Sequence, residues 1–433
     1  MSSGLQRRGE LSGRSLTVVL VTCGLSYLFD GYDLVVYGTT LPTLLAEWRV
    51  SPAVAGAVGS YALIGMLIGA LAVGSVTDLL GRRRVLIGCV TWFSVFTALC
   101  AATSSPEAFG ALRFLAGLGL GGVLPTLNAL TIEYAPPRRR NLVYVSMAVG
   151  YPVGGLLAAT LAIPLIPASG WQVMYLIGAT PLLVVLPLAV RALPESLEYL
   201  LARGRTDQAR ALADRLGVTL EAAEPVAAAA AGGGPKPLFA AGYRAATVLF
   251  WLAAFCSLLL VYALNTWLPQ LMRQSGYPLG SALSFLLVFN VGAILGLFLG
   301  GPAADRFGQR AVTATGFALA GISVALLAFT GSQLALYLLF AVGGYGTVGT
   351  QTLLNAFVTG YYPGSARAAG IGWALGVGRL GGILGPFLGG VLLTAGMPLG
   401  GIFFVFAAVA LAGALLIAAV RPARLPGRVA ART

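Results

Sequence analysis

Twelve apolar stretches, each long enough to cross a bilayer as a helix, succeed one another along the 433 residues of this chain. They fall near 16–40, 54–77, 85–104, 108–132, 142–166 and 172–190, and again near 246–269, 281–303, 311–330, 333–359, 368–395 and 398–420. About 20 apolar residues in a helix span the hydrocarbon core, and in lipid only a helix or a closed barrel satisfies its own backbone. The expectation is an all-α membrane protein of twelve transmembrane helices. Composition agrees, with 58% of residues hydrophobic and 9% charged, against about a quarter charged in a soluble domain. The 59 glycines and 23 prolines suit spans that pack closely or bend.

Several function classes fall away. The net charge is +13, but the basic residues sit in short loops between apolar runs, with no stripe interleaved with aromatics, so no nucleic-acid partner is expected. Cys23, Cys89, Cys100 and Cys256 lie in apolar runs without metal-ligand spacing and read as small buried hydrophobes. There is no histidine. No metal cluster, nucleophile–base pair or phosphate loop is readable, so the chain is not expected to be an enzyme or to hold a cofactor. The first apolar run ends in Asp30-Gly31-Tyr32-Asp33 and not in a small-residue cleavage site, so it reads as a retained span.

Basic residues orient the chain. With a cytoplasmic N-terminus, 23 of the 27 lie inside and only Arg49 and Arg273 outside, while Arg113 and Arg379 are within spans. Both termini are therefore expected in the cytoplasm. Residues 1–190 and 246–433 then form two six-helix bundles. They are joined by a cytoplasmic linker, 191–245, which opens with an amphipathic helix from Pro194 to Leu201 and ends in an Ala/Gly/Pro-rich tether, Ala227 to Pro237.

The two halves repeat. A shift of 227 residues without a gap places Leu41-Pro42 on Leu268-Pro269, Gly74 on Gly301, Asp78 on Asp305, Gly81 on Gly308 and Gly117 on Gly344. It also places Leu127-Asn128-Ala129 on Leu354-Asn355-Ala356, Tyr134 on Tyr361, Pro136 on Pro363, Arg140 on Arg367 and Gly154-Gly155 on Gly381-Gly382. Parallel six-plus-six repeats are a transporter architecture with the substrate site between the halves, near the midplane.

Gly74-x-x-x-Asp78-x-x-Gly81-Arg82-Arg83-Arg84 resembles the signature loop of the major facilitator superfamily, and Gly301-x-x-x-Asp305-Arg306-x-Gly308-x-Arg310 is a weaker second copy. Arg113-x-x-x-Gly117-x-x-x-Gly121-Gly122 is similar to the fourth-helix motif of the same superfamily. Within it, Asp30-Gly31-Tyr32-Asp33, Tyr262-x-x-Asn265-x-Trp267-Leu268-Pro269 and Gly376-Val377-Gly378-Arg379-Leu380-Gly381 resemble the aromatic acid:proton symporter family. The resemblance implies uptake of benzoate-like or hydroxybenzoate-like anions with protons, by a monomer in the plasma (inner) membrane. Members thought to use a histidine near the site differ from this chain, so no histidine-dependent step carries over.

Charges inside spans cost about 2.5–3.5 kcal/mol on insertion scales and mark function. The repeat sharpens them: Asp30, Asp33, Arg113 and Glu133 align with Ser257, Leu260, Phe340 and Gly360, and Arg379 aligns with Pro152. Symmetry accounts for the scaffold, and departures from it mark the site. Asp30 and Asp33 lie about 60° apart on one helix face, with Tyr27 and Tyr37 on the same stripe. With no histidine, these carboxyls are the candidates for carrying the proton, and which of the two does so is left open. Arg379 offers a planar fork to a substrate carboxylate or a salt bridge to either aspartate, in turn. Arg113 contacts substrate, tunes the aspartates, or serves packing alone.

Tyr37, Asn128, Tyr151, Tyr262, Trp267, Asn355 and Trp373 complete the candidate substrate contacts. Gly74, Asp78, Gly81, Arg82, Glu133, Arg140, Asp305, Arg310 and Arg367 read as gate and hinge residues, with Glu133 expected to pair with arginines of the 82–84 or 138–140 clusters. Pro194-Glu195-Ser196 resembles the loop of sugar porters, but the paired glutamines those carry in span seven are missing from Ser257 to Asn265. Another organic anion or a sugar is the alternative cargo.

Overall fold

A computed structural model of the protein describes residues 5–8, 13–134, 146–216, 219–222, 236–240, 242–329 and 331–421. Its helical runs coincide with the apolar stretches. In the first half these are α1 (Gly13–Trp48), α2 (Pro52–Leu80), α3 (Arg82–Cys100), α4 (Pro106–Tyr134), α5 (Gly150–Ser169) and a sixth run broken into α6 (Gln172–Gly178), a 3-10 turn (Thr180–Leu182) and α7 (Val185–Ala192). Between the halves lie the linker helices α8 (Leu197–Ala202) and α9 (Thr206–Leu216). The second half holds α10 (Arg244–Gln274), α11 (Leu279–Phe307), α12 (Gln309–Leu326), α13 (Gln333–Gly344) continued through a π turn (Tyr345–Gly349) into α14 (Thr350–Tyr361), α15 (Gly364–Thr394) and α16 (Leu399–Ala419).

Among the described residues, ten helices are individually long and apolar enough to cross a membrane. The other two runs are α12, whose first turn carries Gln309 and Arg310, and the run from Gln333 to Tyr361, which the π turn divides. Large side chains such as Leu183 and Leu415 stand 77% and 72% exposed, as lipid-facing surface should.

The expected spans and observed helices agree within a few residues except at α1, which runs on through Pro42 to Trp48, and at the start of the fifth span, expected at 142, where α5 begins at Gly150 and 142–145 lie outside the described residues. Two features were not anticipated. A two-stranded antiparallel ribbon, β1 (Leu5–Arg8) with β2 (Thr219–Ala222), ties the start of the chain to the linker, with Leu5 opposite Ala222. The linker helix starts later than Pro194, because Ser196 is its N-cap and accepts from the Tyr199 amide at 3.0 Å. Within the tether, only Lys236 and Pro237 are among the described residues.

The sequence repeat is also a repeat of contacts. A Cβ on Gly65 would sit 2.2 Å from the Phe114 carbonyl oxygen, and one on Gly292 would sit 1.9 Å from that of Ala341. Gly117 meets Ala62 at 2.1 Å as Gly344 meets Phe289 at 1.8 Å, and Gly154 meets Leu28 at 1.8 Å as Gly381 meets Phe255 at 2.1 Å. Every partner is offset by the same 227 residues. Only hydrogen fits at these crossings, so helix backbones touch in both halves by one rule. Gly81 and Gly308, at φ 93° and 88°, close α2 and α11 in matching turns.

The halves meet most tightly at the end away from the termini. There α2 packs on α15: the Ala53 amide donates to Thr394 Oγ1 at 2.8 Å and Ser60 Oγ to the Ile383 carbonyl at 2.7 Å. Trp48, Phe109, Trp171 and Tyr175 stack edge-on at 5.1–5.8 Å beneath this end. Toward the termini, Gly74 of α2 and Gly372 and Gly376 of α15 have nothing within 4 Å of a Cβ position.

Candidate functional site

Close backbone packing builds the site. Gly31 of α1 faces the Tyr151 backbone so closely that a Cβ would lie 1.9 Å from its carbonyl oxygen. That crossing sets the Tyr151 ring beside Asp30. Asp30, Asp33, Tyr37, Arg113, Tyr151 and Tyr262 all wall one cavity between the halves. The cavity is nearly closed, with about 20 Å³ free at its centre, room for about one water. The halves are drawn together around it: Tyr151 of the first half and Tyr262 of the second share its wall.

The two aspartates differ sharply. Arg113 Nη1 donates to both Asp33 carboxylate oxygens at 2.7 and 2.8 Å, and its Nη2 to the Asp33 carbonyl at 3.2 Å. Both side chains are buried. Asp30, one turn earlier and 2% exposed, has no hydrogen-bond partner for either carboxylate oxygen. Tyr37 is anchored through its hydroxyl to the Ala55 carbonyl at 2.5 Å.

Arg379 comes from the second half, on α15, and donates to the Met66 carbonyl of α2 at 2.9 Å. It pairs with neither aspartate, although it is near enough for its charge to act on Asp30. Arg379 and the remaining candidates lie off the cavity wall. Asn128 accepts from Tyr27 at 2.5 Å, and Asn355 accepts from Gln351 at 2.9 Å. The Trp267 indole, fully buried, donates to the Pro386 carbonyl at 2.7 Å. Trp373 stacks on Trp251 at 5.6 Å. Leu34, Leu63, Met66, Leu120, Thr266 and Pro386 complete much of the wall and were missed. Ordinary residues on one helix face carry no signal in a single sequence, although Thr266 falls inside the span-seven motif.

At the end that carries the termini, Arg82 reaches Glu133 at 2.5 Å and Glu198 at 2.9 Å. The Glu198 amide donates to Glu133 at 3.2 Å and the Arg83 amide to Glu195 at 3.0 Å. The Tyr199 hydroxyl donates to the Leu79 carbonyl at 3.1 Å, beside Gly81. Helix α8 is thus pinned on the α2–α3 turn. Sequence reasoning had not assigned Glu195 and Glu198 to this cluster, and the Pro194-Glu195-Ser196 loop was the available signal. The Asp78 side chain and Arg140 lie outside the described residues. Asp305, Arg310 and Arg367 are exposed at the same end of the second half.

Two helical halves around a buried charged cavity have close counterparts among known proteins. The family model described as Major Facilitator Superfamily matches residues 23–300 and 250–433. The chain belongs to the Major Facilitator Superfamily. It is a multi-pass membrane transporter, not an enzyme. It is 39% identical over 401 residues to the benzoate transport protein of Acinetobacter baylyi, covering 88% of this chain and 84% of that one. It is 40% identical over 412 residues to the gentisate transporter of Corynebacterium glutamicum, covering 94% and 88%. It is 35% identical to the 4-hydroxybenzoate transporter PcaK of Pseudomonas putida, covering 87% and 86%. Among solved structures, the D-xylose-proton symporter superposes with a TM-score of 0.75 at 17% identity, covering 94% and 98% of the two chains. The partially occluded inward-open xylose transporter XylE from E. coli gives 0.73, also at 17% identity, covering 94% and 97%.

Proposed function

We propose that this transporter imports an aromatic carboxylate, benzoate-like or hydroxybenzoate-like, by proton symport through alternating access. The observation that carries the reading is the cavity between the halves, where Asp30 stands without a partner beside a tyrosine pair, with the Arg379 guanidinium of the opposite half held on the Met66 carbonyl behind its wall. The names of the relatives support the cargo class. Arg379 is the anion-binding group: its hydrogen bond to Met66 is weak enough to exchange for a charge-assisted pair with a carboxylate. Asp30 carries the proton, and Asp33 is committed to Arg113. The ring lies against Tyr151, Tyr262 and the apolar wall.

Moving a monovalent anion into a negative-inside cell costs about 2.3 kcal/mol per 100 mV. One proton cancels that cost and a second drives entry. With the termini in the cytoplasm, the packed α2–α15 end faces outward and the closed outer gate belongs to an inward-facing form. The cavity must widen to admit a ring. In this reading 1–190 and 246–433 rock as two bodies joined by 191–245, in a monomer.

Uptake by proteoliposomes tests the proposal with benzoate, hydroxybenzoates, phenylpropionate, muconate, shikimate and glucose, each with and without a proton gradient. Gradient-driven accumulation confined to the aromatic acids is expected. Accumulation of glucose or shikimate in their place would overturn the cargo, and indifference to the gradient would overturn the coupling.

A further inference from the structure

The two ends of the repeat that face the termini are balanced very differently. In the first half, Glu133, Glu195 and Glu198 engage Arg82 and the Arg83 amide, and α8 covers the turn. The second half has no counterpart: Gly360 stands where Glu133 would be, and from 246 to 433 a single acidic residue, Asp305, accompanies nine arginines. Arg306, Arg310, Arg367 and Arg421 are all exposed at this end, and among the described residues none forms an ion pair. Their elements converge there. Arg310 donates to the Ala418 carbonyl, the Tyr361 hydroxyl donates to that of Arg421 at 3.1 Å, and Gln309 lies against Gly360.

We propose that this end of the second half binds the phosphate headgroup of an anionic phospholipid. The site supplies the counter-charge that the half lacks. A lipid is favoured over a free anion because an apolar strip leads to the arginines: Phe298, Leu299 and Phe307 of α11 are 56%, 57% and 65% exposed, and Arg306 lies 5.3 Å over the Phe307 ring. Such a strip accepts acyl chains while the guanidinium groups take the phosphate. The first half has its own carboxylates and needs no such ligand.

The test is lipid binding by native mass spectrometry on the purified full chain, with phosphatidylglycerol, phosphatidylcholine and inorganic phosphate as probes. Phosphatidylglycerol should bind in preference to phosphatidylcholine and weaken about fivefold for each arginine removed in Arg306→Gln, Arg310→Gln and the double variant. Arg306→Lys with Arg310→Lys should retain most of the binding, and Arg205→Gln with Arg210→Gln, an equal charge change just before and on α9, should leave it unchanged. Unaltered phosphatidylglycerol binding by the double glutamine variant overturns the proposal, and so does equal loss in the α9 control. Full displacement by inorganic phosphate at matched concentration makes it a free-anion site and overturns the lipid. If the glutamine variant does not fold, a headgroup-photoreactive phosphatidylglycerol on the wild-type protein decides. Label on peptides carrying 306–310 and 421 supports the site, and label only elsewhere overturns it.

Discussion

Arg379 of α15 donates to the main-chain oxygen of Met66 on α2, so a mid-span cation of the second half is spent on a carbonyl of the first. A neutral acceptor holds it at 2.9 Å, leaving the guanidinium ready for a better partner. Arg379→Lys keeps the charge and loses the fork. Substrate affinity, measured by titration calorimetry, should fall by about 1.5–3 kcal/mol, roughly ten- to hundredfold. Unchanged affinity would remove Arg379 from the binding role.

The aspartates should separate cleanly. Asp30→Asn removes no partner and should leave thermal stability near wild type. It should abolish gradient-driven accumulation while sparing substrate exchange, because a neutral side chain mimics the loaded state. Uphill accumulation by this variant would move the proton elsewhere.

Asp33→Asn should act first on stability. It strands Arg113 in a site where both partners are buried, and breaking a buried pair costs about 3–5 kcal/mol. Denaturation in micelles should show that loss, and the double variant Asp33→Asn/Arg113→Gln should recover part of it. Equal stability of Asp33→Asn and wild type would contradict the pairing.

Backbone contact between α1 and α5 should make Gly31 and Gly154 intolerant of a methyl group. Alanine at either position meets a carbonyl oxygen at 1.9 or 1.8 Å, whereas Gly24→Ala has open space. Size-exclusion profiles should show folded protein for Gly24→Ala and little for the other two.

The packed end can be locked. Ala53→Cys with Thr394→Cys puts thiols on two neighbouring residues, whose main-chain amide and side-chain hydroxyl now lie 2.8 Å apart. Oxidation should cross-link them and stop transport, with reduction restoring it. Continued transport by a fully cross-linked protein would show that this seam never opens.

The spans were legible because lipid forces each crossing segment to satisfy its own backbone, and that demand is written locally as apolar length. The ribbon of Leu5–Arg8 with Thr219–Ala222 was not, since pairing over such a distance leaves no mark in either strand. The charged residues of the cavity stood out as violations of the apolar rule. What distinguishes Asp30 from Asp33 did not, because it depends on Arg113, 80 positions away, and on which face of α4 turns inward. Trp267 shows the converse: its motif is conspicuous, yet its indole is committed to Pro386.

The π turn at Tyr345–Gly349 has no counterpart in α4, although the two segments share an unbroken numerical register. A wider turn holds an extra residue, so the helix beyond it is out of phase by about 100°, the angle of one helical residue. Asn128 and Asn355 are therefore the same letter at the same spacing, aimed in different directions: one reaches across to Tyr27, the other folds back on Gln351 of its own helix. Duplication alone would give two matching faces around the pathway. A single local change of winding makes them dissimilar without altering a residue count, and two matching halves acquire a left and a right.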